Sequence, residues 1–241
     1  NYSFTAGINN AATAAYAVSI GNMDTATGNM SVALGFKNKV SAWAAFAQGE
    51  SNLASGQYSA AQGRENTASG QYGFAAGYRS QATGEGSMAQ GFDNIAAGNY
   101  SLASGNSTLA SGAQSTARGF FCNALADYST SIGYFNNATG VSAVAAGALN
   151  TASGASSFAA GQNTTASGNY SGTLGLFTYA KSNGGFTAGI YNDAAAAGSA
   201  TSIDGNNRLF EVGNAIATVL RNNPFTILQN ENAGIKPAVP A

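Results

Sequence analysis

A glycine returns every fourteen residues from Gly7 to Gly189, through Gly21, Gly35, Gly49, Gly63, Gly77, Gly91, Gly105, Gly119, Gly133, Gly147, Gly161 and Gly175, without a slip. So short and fixed a period marks a stack of similar coils, each packed only on its neighbours. It points away from an enclosed pocket and towards the surface of a rod. Stacked at ~4.8 Å per coil, the fourteen repeats would span roughly 65 Å.

Aligning the repeats on the glycine shows two segments per coil. Two residues before it the side chain is small, as in Ala33, Ala47, Ala61, Ala75, Ala89 and Ala103, with Ser19, Ser131, Thr5, Thr173 and Thr187 as variants. Four before it stands another small residue, such as Ser31, Ser59, Ser87 or Ser115. Alternate positions are large: Phe4, Val18, Val32, Phe46, Phe74, Met88, Leu102, Val144, Phe158 and Phe186 stand three before, interrupted by Ala60, Thr116, Thr130 and Gly172. Tyr2, Tyr16, Tyr58, Tyr72, Tyr100, Tyr128 and Tyr170 stand five before. This period-two alternation predicts a strand with one small face and one large face, the tyrosines included.

The second segment centres five residues after the glycine on an alanine column that runs from Ala12 to Ala194, with Val40 the one exception. Its flanks are mostly polar (Thr25, Thr27, Thr67, Ser69), and a second glycine often closes it, as in Gly28, Gly56, Gly70 and Gly84. Asparagine recurs three after the main glycine, at Asn10, Asn38, Asn52, Asn66, Asn94, Asn136 and Asn150, where it can bond local backbone in a turn. The three prolines, Pro224, Pro237 and Pro240, all lie near the C-terminus, so nothing before residue 224 removes a ladder donor.

Two strands and two turns make a flattened coil whose interior admits only small side chains. The alternative, a monomeric helix with its large side chains inward, is disfavoured by volume, since fourteen residues at normal density leave no room inside for phenylalanine and tyrosine. The large column must then face outward, as an apolar stripe far larger than the ~300–600 Å² patch a monomer tolerates. Identical chains supply identical stripes, so self-association is expected through Phe4, Val18, Val32, Phe46, Phe74, Met88, Leu102, Val144, Phe158 and Phe186.

Composition narrows the function. Charged residues make up 8% and the formal net charge is −1, which leaves no basic field for nucleic acid. No apolar run reaches the ~18 residues of a membrane span, so this segment is not expected to insert. Histidine is absent and Cys122 is the lone cysteine, which removes a histidine-based triad and the usual zinc ligand sets. No cofactor is expected, and Cys122 reads as a small turn residue. Carboxylates such as Glu50, Glu65, Glu85, Asp93 and Asp127 are scattered; a pair for glycoside cleavage is conceivable, but solvated turn charges account for them better. The chain is therefore read as a binding protein and not an enzyme. Candidate contacts are the aromatics just after the glycine, Phe36, Tyr78, Phe92, Phe177 and Tyr191 among them, and above all Phe120, Phe121, Tyr134 and Phe135, expected to form a ledge for sugar faces or a protein partner.

Asn29-Met30-Ser31-Val32-Ala33-Leu34-Gly35, Ser142-Ala143-Val144-Ala145-Ala146-Gly147 and the halves Asn66-Thr67-Ala68-Ser69-Gly70 and Asn150-Thr151-Ala152-Ser153-Gly154 resemble the head repeats of YadA-like trimeric autotransporter adhesins, over about residues 1–195. The resemblance implies a left-handed parallel β-roll that assembles as a homotrimer and, outside the cell at a bacterial surface, attaches to a host-surface protein or glycan. At position 203 Ile203 replaces the next glycine, so the register is expected to break there: 1–199 as roll, 200–241 as connector. Residues Asn207 to Asn214 and Phe225 to Asn230 resemble the connector of tail-fibre-type proteins, which implies as alternative a receptor-binding fibre of a phage or injection-system tail.

Overall fold

Alternation about each anchoring glycine becomes a ladder of strands in the computed structural model, which describes residues 2–192, 198–215, 223–230 and 233–235. The described residues are all β, a parallel solenoid of fourteen-residue coils, and fall into two units, 1–121 and 122–241. In the first unit, five-residue strands from Phe4–Ile8 to Thr116–Phe120 pair in parallel, each glycine on the next: Gly7 on Gly21, Gly21 on Gly35 and Gly35 on Gly49. Two-residue strands from Ala11–Ala12 to Leu109–Ala110 form the second wall of the coil. The second unit repeats this with long strands from Thr130–Tyr134 to Phe186–Ile190 and short ones from Asn123–Ala124 to Tyr179–Ala180.

Close approach of successive coils explains the glycines. The anchoring glycines sit at φ between +106 and +137°, and a Cβ on Gly35 would overlap the carbonyl oxygen of Gly49. The second glycine is required by contact alone, since a Cβ on Gly70 would overlap the Gly84 carbonyl oxygen.

Asparagine does more than the local turn bond expected of it. Asn52 Nδ2 donates to the Gln48 carbonyl at 3.0 Å, within its own coil, and to the Gly63 carbonyl at 2.8 Å, on the next one. Its Oδ1 accepts the backbone N–H of Asn66 at 3.0 Å, while its own N–H donates to Asn38 Oδ1 at 3.1 Å. The pattern passes from Asn38 through Asn52 to Asn66, and on to Ser80 N–H, so the side chains form a buried ladder parallel to the backbone one. Thr108 and Thr164 keep part of it, each donating its hydroxyl to the asparagine below at 2.7 Å. Cys122 stands in this same column, fully buried, and not in an exposed turn.

Between the walls lie Ala33, Ala47, Ala61 and Ala75 facing Ala26, Ala54, Ala68 and Ala82, none with any exposed surface. Val40, the exception in its column, is the largest of the fully buried side chains.

The tyrosine column departs from the sequence reading. Tyr58 and Tyr72 are not on the strand: they occupy left-handed turn conformations at φ 57 and 58°. Such strain in a bulky residue persists where surrounding bonds over-determine it, and here the Tyr58 N–H donates to the Trp43 carbonyl at 3.1 Å and the Tyr72 N–H to Gln57 at 2.9 Å. The strand alternation runs forward instead, so that Ile20, Leu34, Ile132 and Leu174, one before the glycine, share the outer face with the phenylalanine–valine column.

Beyond Gly189 the stack gains another strand. Arg208–Asn214 pairs in parallel with Phe186–Ile190 and puts Gly213 beside Gly189, twenty-four residues on instead of fourteen, so ten residues are inserted where Ile203 broke the sequence register. Phe225–Leu228 then pairs antiparallel with this strand, and Ala233–Ile235 with that one. Ala194, Pro237 and Pro240 lie outside the described residues. Glu211 takes the small-residue position opposite Thr187 and is 3% exposed. Its carboxylate accepts from Arg208 at 2.8 Å, Asn192 at 2.9 Å, Asn223 at 3.0 Å and Thr187 at 3.3 Å. Burial nevertheless pushes its pKa above the ordinary carboxylate value, with Arg208 pulling the other way.

Replacing Asn52 by alanine strands the Gln48 and Gly63 carbonyls and the Asn66 N–H, and is expected to cost about 2–4 kcal/mol in denaturant unfolding. Asn52→Thr, which copies Thr108, should cost less. For Glu211, a raised folded pKa means that the folded state binds the proton more readily than the unfolded one. Its contribution to stability is then full below the usual carboxylate pKa and is lost as pH rises through the raised value. Amide protection factors over residues 208–214, which take out the intrinsic pH dependence of exchange, should rise on acidification from neutral pH, and Glu211→Gln should flatten that rise.

Candidate functional site

The outer face of the long-strand sheet carries the columns singled out for self-association. In the first unit Phe4, Val18, Val32 and Phe46 lie on successive strands in register, followed after Ala60 by Phe74, Met88 and Leu102. Val144 and Phe158 are likewise neighbours in the second unit, with Gly172 between Phe158 and Phe186. The Phe186 ring folds over that glycine, where a Cβ would lie 2.8 Å from Phe186 Cδ2. It stacks on Phe210 with centroids 6.0 Å apart, and Phe210 meets Phe225 edge-on at 5.9 Å. None of these side chains reaches the coil interior; Phe4 is 56% exposed and Met88 42% exposed, while Val18, Val32, Phe46 and Phe74 are half-buried. The adjacent column, with Ile20, Leu34, Ile132 and Leu174, was missed as part of this surface; carrying the period-two pattern forward past the glycine's neighbour would have found it.

At the turn after the long strand, aromatic and charged residues interleave. Lys37 Nζ lies 4.7 Å from the Phe36 ring centroid. Tyr78 and Phe92 are 5.3 Å apart, and the Arg79 guanidinium covers both, at 4.9 and 5.6 Å. Arg79 also pairs with Asp93, and that hydrogen bond raises its pKa. Arg64 joins Glu50 at 3.5 Å to Glu65 at 3.2 Å. Glu85 accepts the Tyr100 hydroxyl at 2.6 Å, which pushes the Tyr100 pKa up. Each of these carboxylates thus serves an ion pair or a hydrogen bond at a turn or at the strand end beside it. Among the described residues no group of three His, Cys, Asp or Glu side chains could hold a metal ion.

Phe120 and Phe121, in the first unit, meet edge-to-face at 4.7 Å; Tyr134 and Phe135, in the second, meet likewise at 4.6 Å. All four rings are exposed. Phe121 and Phe135 hold left-handed turn conformations, φ 49 and 51°, which turn each ring against its predecessor. Phe177 and Tyr191 stack at 4.8 Å.

A second aromatic row went unmarked as a site. Trp43 meets Tyr58 edge-on at 4.7 Å, and Tyr58 stacks on Tyr72 at 5.2 Å. Gly86 then interrupts the row and Tyr100 leans over it, its Cδ1 within 2.7 Å of where a Cβ would be. Tyrosines spaced at the coil period must stack once the turn repeats; treating them as strand residues hid this.

The arrangement sets apolar columns on one wall and rings and paired charges on the turns. The family model described as the YadA head domain repeat (2 copies) matches residues 54–80, 82–108, 124–150 and 152–171, two segments in each unit. No curated protein matches the chain.

Proposed function

The chain carries YadA head domain repeats in both units, and from that premise we propose that it is the head of a homotrimeric adhesin or fibre that attaches a bacterial surface to host cells, matrix protein or glycan. YadA head domains are typically homotrimeric, and YadA-like heads are surface-exposed in bacteria. Among the described residues there is no helix, so none is long and apolar enough to cross a membrane.

The observation that carries this reading is the outward apolar column. Phe4, Val18, Val32 and Phe46 follow one another without a polar break, and so do Phe74, Met88 and Leu102. The coil interior is filled by alanine and cannot take them in. Three copies about one axis turn identical columns towards each other and cover them. Attachment then uses what stays outside. The edge-to-face pairs Phe120–Phe121 and Tyr134–Phe135 offer flat apolar area at low entropic cost, and Tyr134 adds a hydroxyl. Repetition around the axis multiplies a weak contact into useful avidity.

The double variant Phe74→Asp, Phe158→Asp places charge in the covered column in both units. It should sediment as monomer or aggregate, since a buried unpaired carboxylate costs several kcal/mol; intact trimers would overturn the assigned facing. On a glycan and matrix-protein array, Tyr134→Ala should weaken whatever signal the parent shows at least about tenfold, the loss of one good aromatic contact. An unchanged array would remove Tyr134 from the ligand surface.

A further inference from the structure

One charged side chain interrupts the apolar face. Among the described residues, Arg118 is the one charge standing three or one before an anchoring glycine. The residue is exposed, and its guanidinium makes no hydrogen bond or ion pair with any described residue. Two of its neighbours on that face are also polar: Ser104 is its register partner on the adjacent strand, and Thr116 lies two residues earlier, beside Leu102, whereas Phe120, two residues later, is aromatic. A polar window of Ser104, Thr116 and Arg118 is thus set into the surface that the trimer closes.

Resting on the trimer reading, we propose that this window binds a tetrahedral inorganic oxyanion, phosphate or sulfate, on the axis between three copies. Rotation about one axis without translation keeps every residue of a copy level with its counterparts. Three Arg118 guanidinium groups therefore share one level on a face that excludes water, and a sister chain supplies the same residues at that level. The nearest carboxylate on the strands of this face is Glu50, five coils away, or ~24 Å at the strand spacing. It is already paired with Arg64, and at that range solvent ions screen it, the Debye length being about 8–10 Å. Cations gathered at a closing interface without counter-charge oppose the closure. A tetrahedral oxyanion has the three-fold symmetry of the site, its oxygens accept charge-assisted bonds from guanidinium forks, and the Ser104 and Thr116 hydroxyls are further donors.

The test compares wild type with Arg118→Gln, a change the coil accepts because Gln48, Gln62 and Gln90 already stand in the same column. Sedimentation comes first, followed by thermal unfolding in chloride with and without millimolar sulfate or inorganic phosphate at constant ionic strength. Wild-type trimers should gain roughly 5 °C in midpoint with the oxyanion, and Arg118→Gln trimers should gain nothing. An equal gain or none in both trimers would overturn the anion site and leave the trimer standing. A monomeric wild type would instead overturn the trimer reading on which the site rests.

Discussion

A coil lies close on the next because one place on it, and often a second, lacks a side chain, and a further one most often carries a carboxamide. The anchoring and second glycines bring carbonyl oxygens of successive coils to where a methyl group would stand. The anchoring carbonyl is left part-buried between coils, and the asparagine side chain answers it: Asn38 reaches the Gly49 carbonyl and Asn52 the Gly63 carbonyl, both at 2.8 Å. Glycine and asparagine are thus parts of a single device. One creates the close approach, and the other satisfies the polar group that approach buries.

That device sets the size of everything else. With walls this close, the interior takes alanine, serine and threonine, and hydrophobic burial per coil is a few methyl groups at ~0.8 kcal/mol each. Stability must come chiefly from the continuous backbone and asparagine ladders, and from area outside the coil. Large apolar side chains consequently have one wall available, the outer face of the long strand, and there they form columns that a single chain leaves half uncovered. The trimer we propose follows from the same thinness that the glycine period announces.

Period, strand pairing and interior were legible in the sequence because each depends on residues recurring at one spacing. The asparagine ladder was half legible: a turn bond follows from the residue type, whereas the bond to Gly63 needs the next coil in place. The tyrosines were misplaced because period-two alternation extends as readily backward as forward from the phenylalanine column. Only the backbone, turned left-handed at Tyr58 and Tyr72, decides where the strand begins. Ile203 obscured the strand Arg208–Asn214 because a ten-residue insertion carries no periodic mark. Glu211 hid for a related reason. Nothing in a lone glutamate says that it fills an alanine's place until Gly213 is seen to lie beside Gly189.

Positions held by the ladders and positions open to variation are physically separate. Residues two before and five after the glycine face inward; the asparagine column joins coil to coil, and a change there is felt by both neighbours. Residues two after the glycine and five before it stand on turns whose left-handed backbone is held by N–H bonds to the preceding coil, whatever the side chain, and the residue one after the glycine ends the strand beside them. Lys37, Arg79, Asp93, Phe121 and Phe135 all hold this one turn conformation, although they share neither size nor charge. A stack built this way can alter what its turns present without altering how it stands. The surface proposed to meet a ligand is therefore the part of the coil least constrained by folding, and a fourteen-residue period offers it anew at every repeat.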